Sequence, residues 1–343
     1  MIKVLIIDDS PLIRRLLTEI LQQAKDITVV GSAEDPYEAR EMIKKLNPDV
    51  LTLDVEMPKM DGISFLKNLM RLRPMPVVMI STLTQKGSPI TLEALELGAI
   101  DFIAKPTNNI KEHMSQYASL VQQKVRVAAG ARVRSAKKGV IINEPIHVNA
   151  QFSLNKIIAI GASTGGTEAI KEVLTKMPKN CPPIVITQHI PPVFSTSFAE
   201  RMNRTCIINV KEAEHGDKLN AGWAYIAPGG FHLSIKKQGI GLYCQLDDND
   251  PVNRHKPAVD VLFNSLIEIG AKNIVAAILT GMGSDGAKGL LALKQNGAYT
   301  IAQDEYSSVV WGMPKAAVEL DAVNEVVALD KVAQSLLKQI IKN

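Results

Sequence analysis

Residues 1–10 read MIKVLIIDDS, a run of large aliphatic residues at positions 4–7 that stops abruptly at Asp8 and Asp9. A short, unbroken apolar run suits a strand buried on both faces, as in a parallel sheet covered by helices. The pattern recurs outward from this stretch. Apolar runs at 28–33, 50–53, 77–80 and 102–104 are candidate strands, and 36–46 and 62–71 carry apolar residues at helical spacing. Five such strand–helix units, closed by a last helix near 111–127, predict an α/β fold with a doubly wound five-stranded parallel sheet.

The chain has 343 residues, 46% hydrophobic and 22% charged, with a formal net charge of +4. At roughly 150 residues per domain this length suits two domains, each able to bury a core without staples. Aromatic residues make up only 4%, which argues against a stacking surface for nucleic acid. The positive charge is also local. Lys124, Arg126, Arg132, Arg134, Lys137 and Lys138 sit in one short acid-free run, and without them the chain is slightly acidic. The run reads as part of a basic linker over 125–153, between domains at 1–124 and 154–343, and no nucleic-acid partner is expected. Cys181, Cys206 and Cys244 form no CxxC pair, so neither zinc nor a disulfide framework is indicated. No signal-peptide pattern opens the chain, and no stretch approaches the ~18–20 apolar residues of a membrane span. A cytoplasmic protein, not inserted in a membrane, is expected.

The candidate strands of the first domain end in chemistry. Asp8-Asp9 follows the first, Asp54 the third, Ser81 the fourth and Lys105 the fifth. Ligands of open parallel sheets bind at the carboxyl ends of the strands. Three carboxylates gathered there repel one another and call for a hard cation such as Mg²⁺, which also binds phosphoryl oxygens. A carboxylate beside Mg²⁺ and a lysine can accept a phosphoryl group. With the motifs IIDDS, LDVEMPKMDG, VVMIST and IAKPT, residues 1–123 resemble a response-regulator receiver domain. The resemblance implies a flavodoxin-like sheet order, Asp54 as phosphoacceptor, and Asp8 and Asp9 with Asp54 as Mg²⁺ ligands. It also implies Ser81 and Lys105 as readout groups and a histidine kinase as phosphodonor.

Alternation resumes at residue 156, with strands expected at 157–161, 184–187, 207–211, 224–227, 274–280 and 298–302. An antiparallel hairpin is expected over 231–246. Helical patterns fit 167–176, 258–269, 287–295 and 329–341. The first of these strands runs into Gly161-Ala162-Ser163-Thr164-Gly165, a G-x-S-x-G turn that pushes a serine out at a strand–helix elbow. A serine needs a base. The next strand ends in Gln188-His189, on the sheet edge where that base must lie. The strand at 274–280 leads to Gly281-Met282-Gly283-Ser284-Asp285, so Asp285 can orient the imidazole. Thr164, at the helix start, and Met282, in the glycine loop, are candidates for oxyanion and substrate contacts. The order serine, histidine, aspartate differs from that of an α/β-hydrolase. The stretch GASTGG at 161–166 also resembles the glycine-rich loop of a short-chain dehydrogenase. That family needs Tyr-x-x-x-Lys, and none of the six tyrosines has a lysine four residues on. His113, His147, His215, His232 and His255 show no ligand spacing and are expected at surface or capping positions. Of these, His232 alone sits in a loop placed to line a site.

IGASTGG, ITQHI, HGDKLNAGWAYIAPGGFHL, LTGMGSDGAKGL and QDEYSSVVWGMPKAA together make residues 154–320 similar to the catalytic domain of the chemotaxis methylesterases (CheB). Ile190 and Trp311 stand where that family more often has methionine and phenylalanine. The resemblance implies hydrolysis of glutamate γ-methyl esters, and deamidation of glutamines, on methyl-accepting chemoreceptors, with no cofactor for the hydrolysis. It also implies inhibition by the receiver that phosphorylation relieves. The alternative is a response regulator whose second domain is a non-catalytic binding module. A DNA-binding output is not expected, because no helix-turn-helix pattern follows the linker.

Overall fold

A computed structural model describes residues 1–81, 88–106, 110–133, 146, 152–153 and 155–341. The chain divides into two compact units, Met1–Val140 and Ile141–Asn343. In the first, five strands alternate with five helices: β1 (Ile2–Ile7), α1 (Pro11–Gln22), β2 (Ile27–Ala33), α2 (Pro36–Leu46), β3 (Val50–Asp54), α3 (Gly62–Leu72), β4 (Val77–Ser81), α4 (Ser88–Glu96), β5 (Asp101–Ala104) and α5 (Ile110–Ala129). The sheet order is β2-β1-β3-β4-β5 and every pairing is parallel, as the receiver resemblance implies. Local sequence sets the helix starts. Ser10, Asp35 and Asp61 cap α1, α2 and α3 by accepting backbone N–H groups, and Pro11 and Pro36 occupy first-turn positions that need no donor.

The second unit contains β6 (Ile157–Ala162), α6 (Gly166–Leu174), β7 (Ile184–Gln188), α7 (Pro192–Thr205), β8 (Asn209–Glu212), β9 (Trp223–Ile226), β10 (His232–Gln238) and β11 (Gly241–Asp247). These are followed by α8 (Val259–Glu268), β12 (Ile274–Ile278), α9 (Ala287–Gln295), β13 (Tyr299–Gln303), α10 (Met313–Glu319), β14 (Glu325–Val327) and α11 (Leu329–Lys338). Seven strands form a parallel sheet in the order β14-β13-β12-β6-β7-β9-β8. The hairpin β10–β11 is separate, turns at Gly239-Ile240 and packs on α8. The central strands β6, β7 and β12 are fully buried, which explains their unbroken apolar runs.

The structure departs from the sequence reading at the linker. Helix α5 runs to Ala129 because Ala118, Val121, Val125 and Ala128, at helical spacing, bury one face of it. Two of the six basic residues fold back onto the first unit: Lys124 pairs with Asp101 at 2.6 Å and Arg126 with Asp26 at 2.7 Å. At the other end, Ser153 N–H donates to Ile340 O at 2.8 Å and Phe152 bridges to Ile341, so this stretch already belongs to the second unit. Most of the expected linker, with Arg134, Lys137, Lys138 and His147, lies outside the described residues. Three further elements of the second unit do not show as periodic patterns in the sequence. Strand β14 has three residues, and the patterns of α7 and α10 are interrupted by polar residues. Among the described residues, no helix is long and apolar enough to cross a membrane.

Candidate active site and acidic cluster

In the first unit, Asp8, Asp9 and Asp54 meet at the carboxyl edge where the sheet order reverses between β1 and β3. One carboxylate oxygen from each lies within 4.8 Å of the others. Lys105 Nζ reaches Asp54 Oδ2 at 2.7 Å and Asp8 Oδ2 at 3.3 Å. Burial pushes the Asp54 carboxyl up to about 6, reinforced by the Asp8 charge and opposed by Lys105. Burial likewise raises Asp8. One lysine therefore leaves these carboxylates under-compensated, and buried Asp8 Oδ2 has only the 3.3 Å ion pair with Lys105, with no well-aligned hydrogen bond. Three hard oxygen donors short of positive charge fit Mg²⁺. The Ser81 hydroxyl, on the neighbouring strand end, accepts from Thr91 of α4 at 3.1 Å. Gly62 is required by close approach: a Cβ there would lie 2.0 Å from the carbonyl oxygen of Asp54.

In the second unit, three adjacent strands deliver three side chains to one edge. Ser163 follows β6, His189 follows β7, and Asp285 lies in the loop after β12. The end of β6 is held from both sides, because Ser163 N–H donates to Thr280 O at 3.0 Å and His189 N–H to Ala162 O at 3.2 Å. The Gln188 amide adds a brace, donating to Ser163 O at 2.9 Å and His189 O at 3.1 Å. The side chains then connect in series. His189 Nε2 lies 2.8 Å from Asp285 Oδ2, and His189 Nδ1 lies 3.1 Å from Ser163 Oγ. A carboxylate only accepts, so Nε2 carries the hydrogen and Nδ1 is left to accept the serine proton.

Asp285 is almost fully buried and receives four donors. Oδ2 accepts from His189 and from Val259 N–H at 2.7 Å. Oδ1 accepts from Asn253 Nδ2 at 2.7 Å and Asp260 N–H at 3.2 Å. Burial pushes its carboxyl up, but the hydrogen bond and charge of His189, with the Asn253 and Val259 donors, outweigh burial and hold it below its ordinary value. Asp285 is thus an anion at neutral pH, able to support an imidazolium. Gly281 approaches Ser163 so closely that a Cβ there would lie 2.8 Å from Ser163 Cβ, and Met282 is the next residue of that loop. Thr164 is tied down through its carbonyl, which accepts from Thr280 Oγ1 at 3.0 Å.

Ser163, His189 and Asp285, named from sequence, come together at this edge, but the surroundings were only partly foreseen. His232 is buried and braces a loop: Nδ1 accepts from Ala258 N–H at 3.2 Å, and Nε2 lies 3.0 Å from Asp250 O. His255, expected at the surface or as a cap, instead stacks on His189, with ring centroids 3.6 Å apart and planes 10° from parallel. Asn253 was missed altogether. Its tolerance of left-handed backbone hints at a turn, but nothing in the sequence shows that this turn faces Asp285. The cysteines are no rival nucleophiles, since burial pushes all three thiols up to about 12.

Fold and site together define a receiver-type unit joined to an α/β unit with a serine–histidine–aspartate relay. The response regulator receiver domain pattern matches residues 4–115, and the CheB methylesterase pattern matches residues 158–336. The chain belongs to the CheB methylesterase family. It is 55% identical to a protein-glutamate methylesterase/protein-glutamine glutaminase of Nitrosomonas europaea, covering 99% of this chain and 97% of that one. The protein of the same description from Salmonella typhimurium is 53% identical, with 99% and 97% covered. The crystal structure of the Thermotoga maritima CheB methylesterase catalytic domain matches 54% of this chain and 98% of its own, at 41% identity and a TM-score of 0.53.

Proposed function

We propose that the chain is a phosphorylation-controlled protein-glutamate methylesterase and protein-glutamine glutaminase acting on methyl-accepting chemoreceptors in the cytoplasm. The observation that carries this reading is the continuous relay from Ser163 Oγ through His189 to Asp285. His189 Nδ1 takes the Ser163 proton as Oγ attacks the γ-carbonyl carbon of a receptor glutamyl ester. Backbone N–H groups of Met282 and Thr164 are the proposed donors to the oxyanion. His189 returns the proton to the methoxy oxygen and methanol leaves. Water, deprotonated by His189, then attacks the acyl-enzyme; Oγ leaves with that proton, giving the glutamate side chain. A glutamine side chain follows the same course and releases ammonia. A non-catalytic binding module has no use for a hydrogen-bonded nucleophile, base and buried carboxylate in series.

Asp54 is the proposed acceptor of a phosphoryl group from a histidine kinase. Asp8, Asp9 and Asp54 would hold Mg²⁺, which supplies positive charge against phosphoryl oxygens when bound. Lys105 supplies a second cation, and Ser81 a hydroxyl for the phosphoryl oxygens. The phosphoryl group adds charge and acceptor oxygens at this edge. Acetyl phosphate with Mg²⁺ should therefore raise methanol release from methylated receptor membranes. Asp54→Asn should abolish the rise and leave the unstimulated rate in place. Equal stimulation of parent and variant would remove Asp54 from the role.

A further inference from the structure

His255 is not the surface residue or cap that the sequence suggested, and the relay alone does not explain its place against His189. The Asp285 hydrogen bond fixes one atom of the His189 ring, Nε2. It does not fix the ring plane, because the terminal torsion of histidine has a broad, shallow profile. The His255 ring, nearly parallel at 3.6 Å between centroids, covers one face of that plane.

The backbone delivering His255 is held in an uncommon conformation. Val252 N–H donates to His255 O at 3.1 Å and His255 N–H to Val252 O at 2.9 Å. The two residues between them, Asn253 (φ 52°) and Arg254 (φ 68°), are both left-handed, the pattern of a type I′ turn. Arginine rarely takes this conformation, so contacts on either side must impose it. At the tip, Asn253 Nδ2 bonds Asp285 Oδ1 at 2.7 Å and Asp260 Oδ2 at 2.8 Å. At the base, His232 bridges Asp250 O and Ala258 N–H, Lys256 O accepts from Gly230 N–H at 3.2 Å, and Lys256 pairs with Asp248 at 2.6 Å. The turn thus grips the carboxylate with one residue and faces the imidazole with another.

We propose that His255 is a positioning residue: its stacked ring holds the His189 plane so that Nδ1 can both take the Ser163 proton and deliver it to the leaving group. The inference rests on the esterase and glutaminase reading above, and it separates the two substrates. In the tetrahedral intermediate, Oγ is bonded to the former carbonyl carbon and Nδ1 carries the proton. Methanol departs as the C–O bond breaks with the proton moving to oxygen. The amide nitrogen must first take that proton, because it leaves only as NH₃ when the C–N bond breaks. A tilted His189 ring therefore harms deamidation more than ester hydrolysis.

The test uses the full chain with membranes carrying a methyl-accepting chemoreceptor, either tritiated on its γ-methyl esters or in its glutamine form. His255→Ala should lower kcat for methanol release by about 10- to 100-fold with KM within about twofold. Its loss of ammonia release should be at least about fivefold larger. His255→Phe, which restores a stacking ring without a titratable group, should recover both rates to within about threefold of the parent. Labelling of Ser163 by a fluorophosphonate should slow in the Ala variant and recover in the Phe variant. Four results would overturn the proposal: an Ala variant within about twofold of the parent, a Phe variant as slow as the Ala variant, equal losses on both substrates, or a loss confined to KM. Ser163→Ala run alongside separates the failures, because activity surviving in it sinks the esterase reading itself, whatever His255 does.

Discussion

Ser163→Ala should lower methanol release from methylated receptors by about 10⁴- to 10⁶-fold, with ammonia release falling in parallel. Without Oγ no acyl-enzyme forms, and His189 is left to activate water in a site shaped for a serine. Residual turnover would come from the oxyanion donors and substrate binding alone. Groups that act as one unit do not lose activity additively, so Ser163→Ala/His189→Ala should be little slower than either single variant. Mass spectrometry of the parent after a fluorophosphonate should place one adduct on Ser163, and the Ala variant should take none. A variant within about tenfold of the parent would mean that another group attacks the ester. Burial of the three thiols leaves no cysteine suited to that role.

Much of this site was legible because each group follows a strand. A buried parallel strand writes a short apolar run, and the first polar residue after it must lie at the sheet edge. That rule located Asp8, Asp54, Ser81 and Lys105; the G-x-S-x-G turn added Ser163, and His189 lies one residue further on, after Gln188. Asp285 was reached through a glycine loop and depended on the length of the strand before it. His255 and Asn253 obey no such rule. They sit on a turn between a hairpin and a helix, more than 60 residues from Ser163, and only the packed second unit brings them to His189 and Asp285. The end of α5 differs by less: the helix expected near 111–127 runs to Ala129, and the basic linker drawn from 125 overlapped it because the last turns hold as many basic as bulky apolar residues. The buried stripe through Val121, Val125 and Ala128, with ion pairs to Asp26 and Asp101, made it helix. Local charge is a weak guide where acids distant in sequence lie opposite.

Asp285→Asn is nearly isosteric, yet its expected effect is the second largest, about 10³- to 10⁴-fold in kcat. Each Asp285 oxygen accepts two N–H groups. An asparagine offers one oxygen and one NH₂, so either orientation turns an NH₂ toward two donors. If it faces His189 and Val259, Nε2 must give up its hydrogen to accept, and Nδ1 becomes a donor that cannot take the Ser163 proton. If it faces Asn253 and Asp260, the grip on the turn carrying His255 is lost. The same count predicts a stability cost of about 1–3 kcal/mol from unsatisfied buried donors. Its pH dependence has a definite sign. The folded Asp285 carboxyl lies below its ordinary value of 3.8, so its contribution is present above about pH 4 and fades as pH falls through the lower folded value. Nearby Asp260 is pushed up by burial and by the Asp285 charge, so removing that charge also relieves Asp260. The gap in stability between parent and variant should therefore be wide at pH 7 and narrow toward pH 3. Both tryptophans, Trp223 and Trp311, lie in the second unit, so their fluorescence during urea unfolding reports this unit alone. A gap that stayed constant over this range, or a variant with more than about a tenth of the parent kcat, would mean that Asp285 is a packing residue and not the partner of the base.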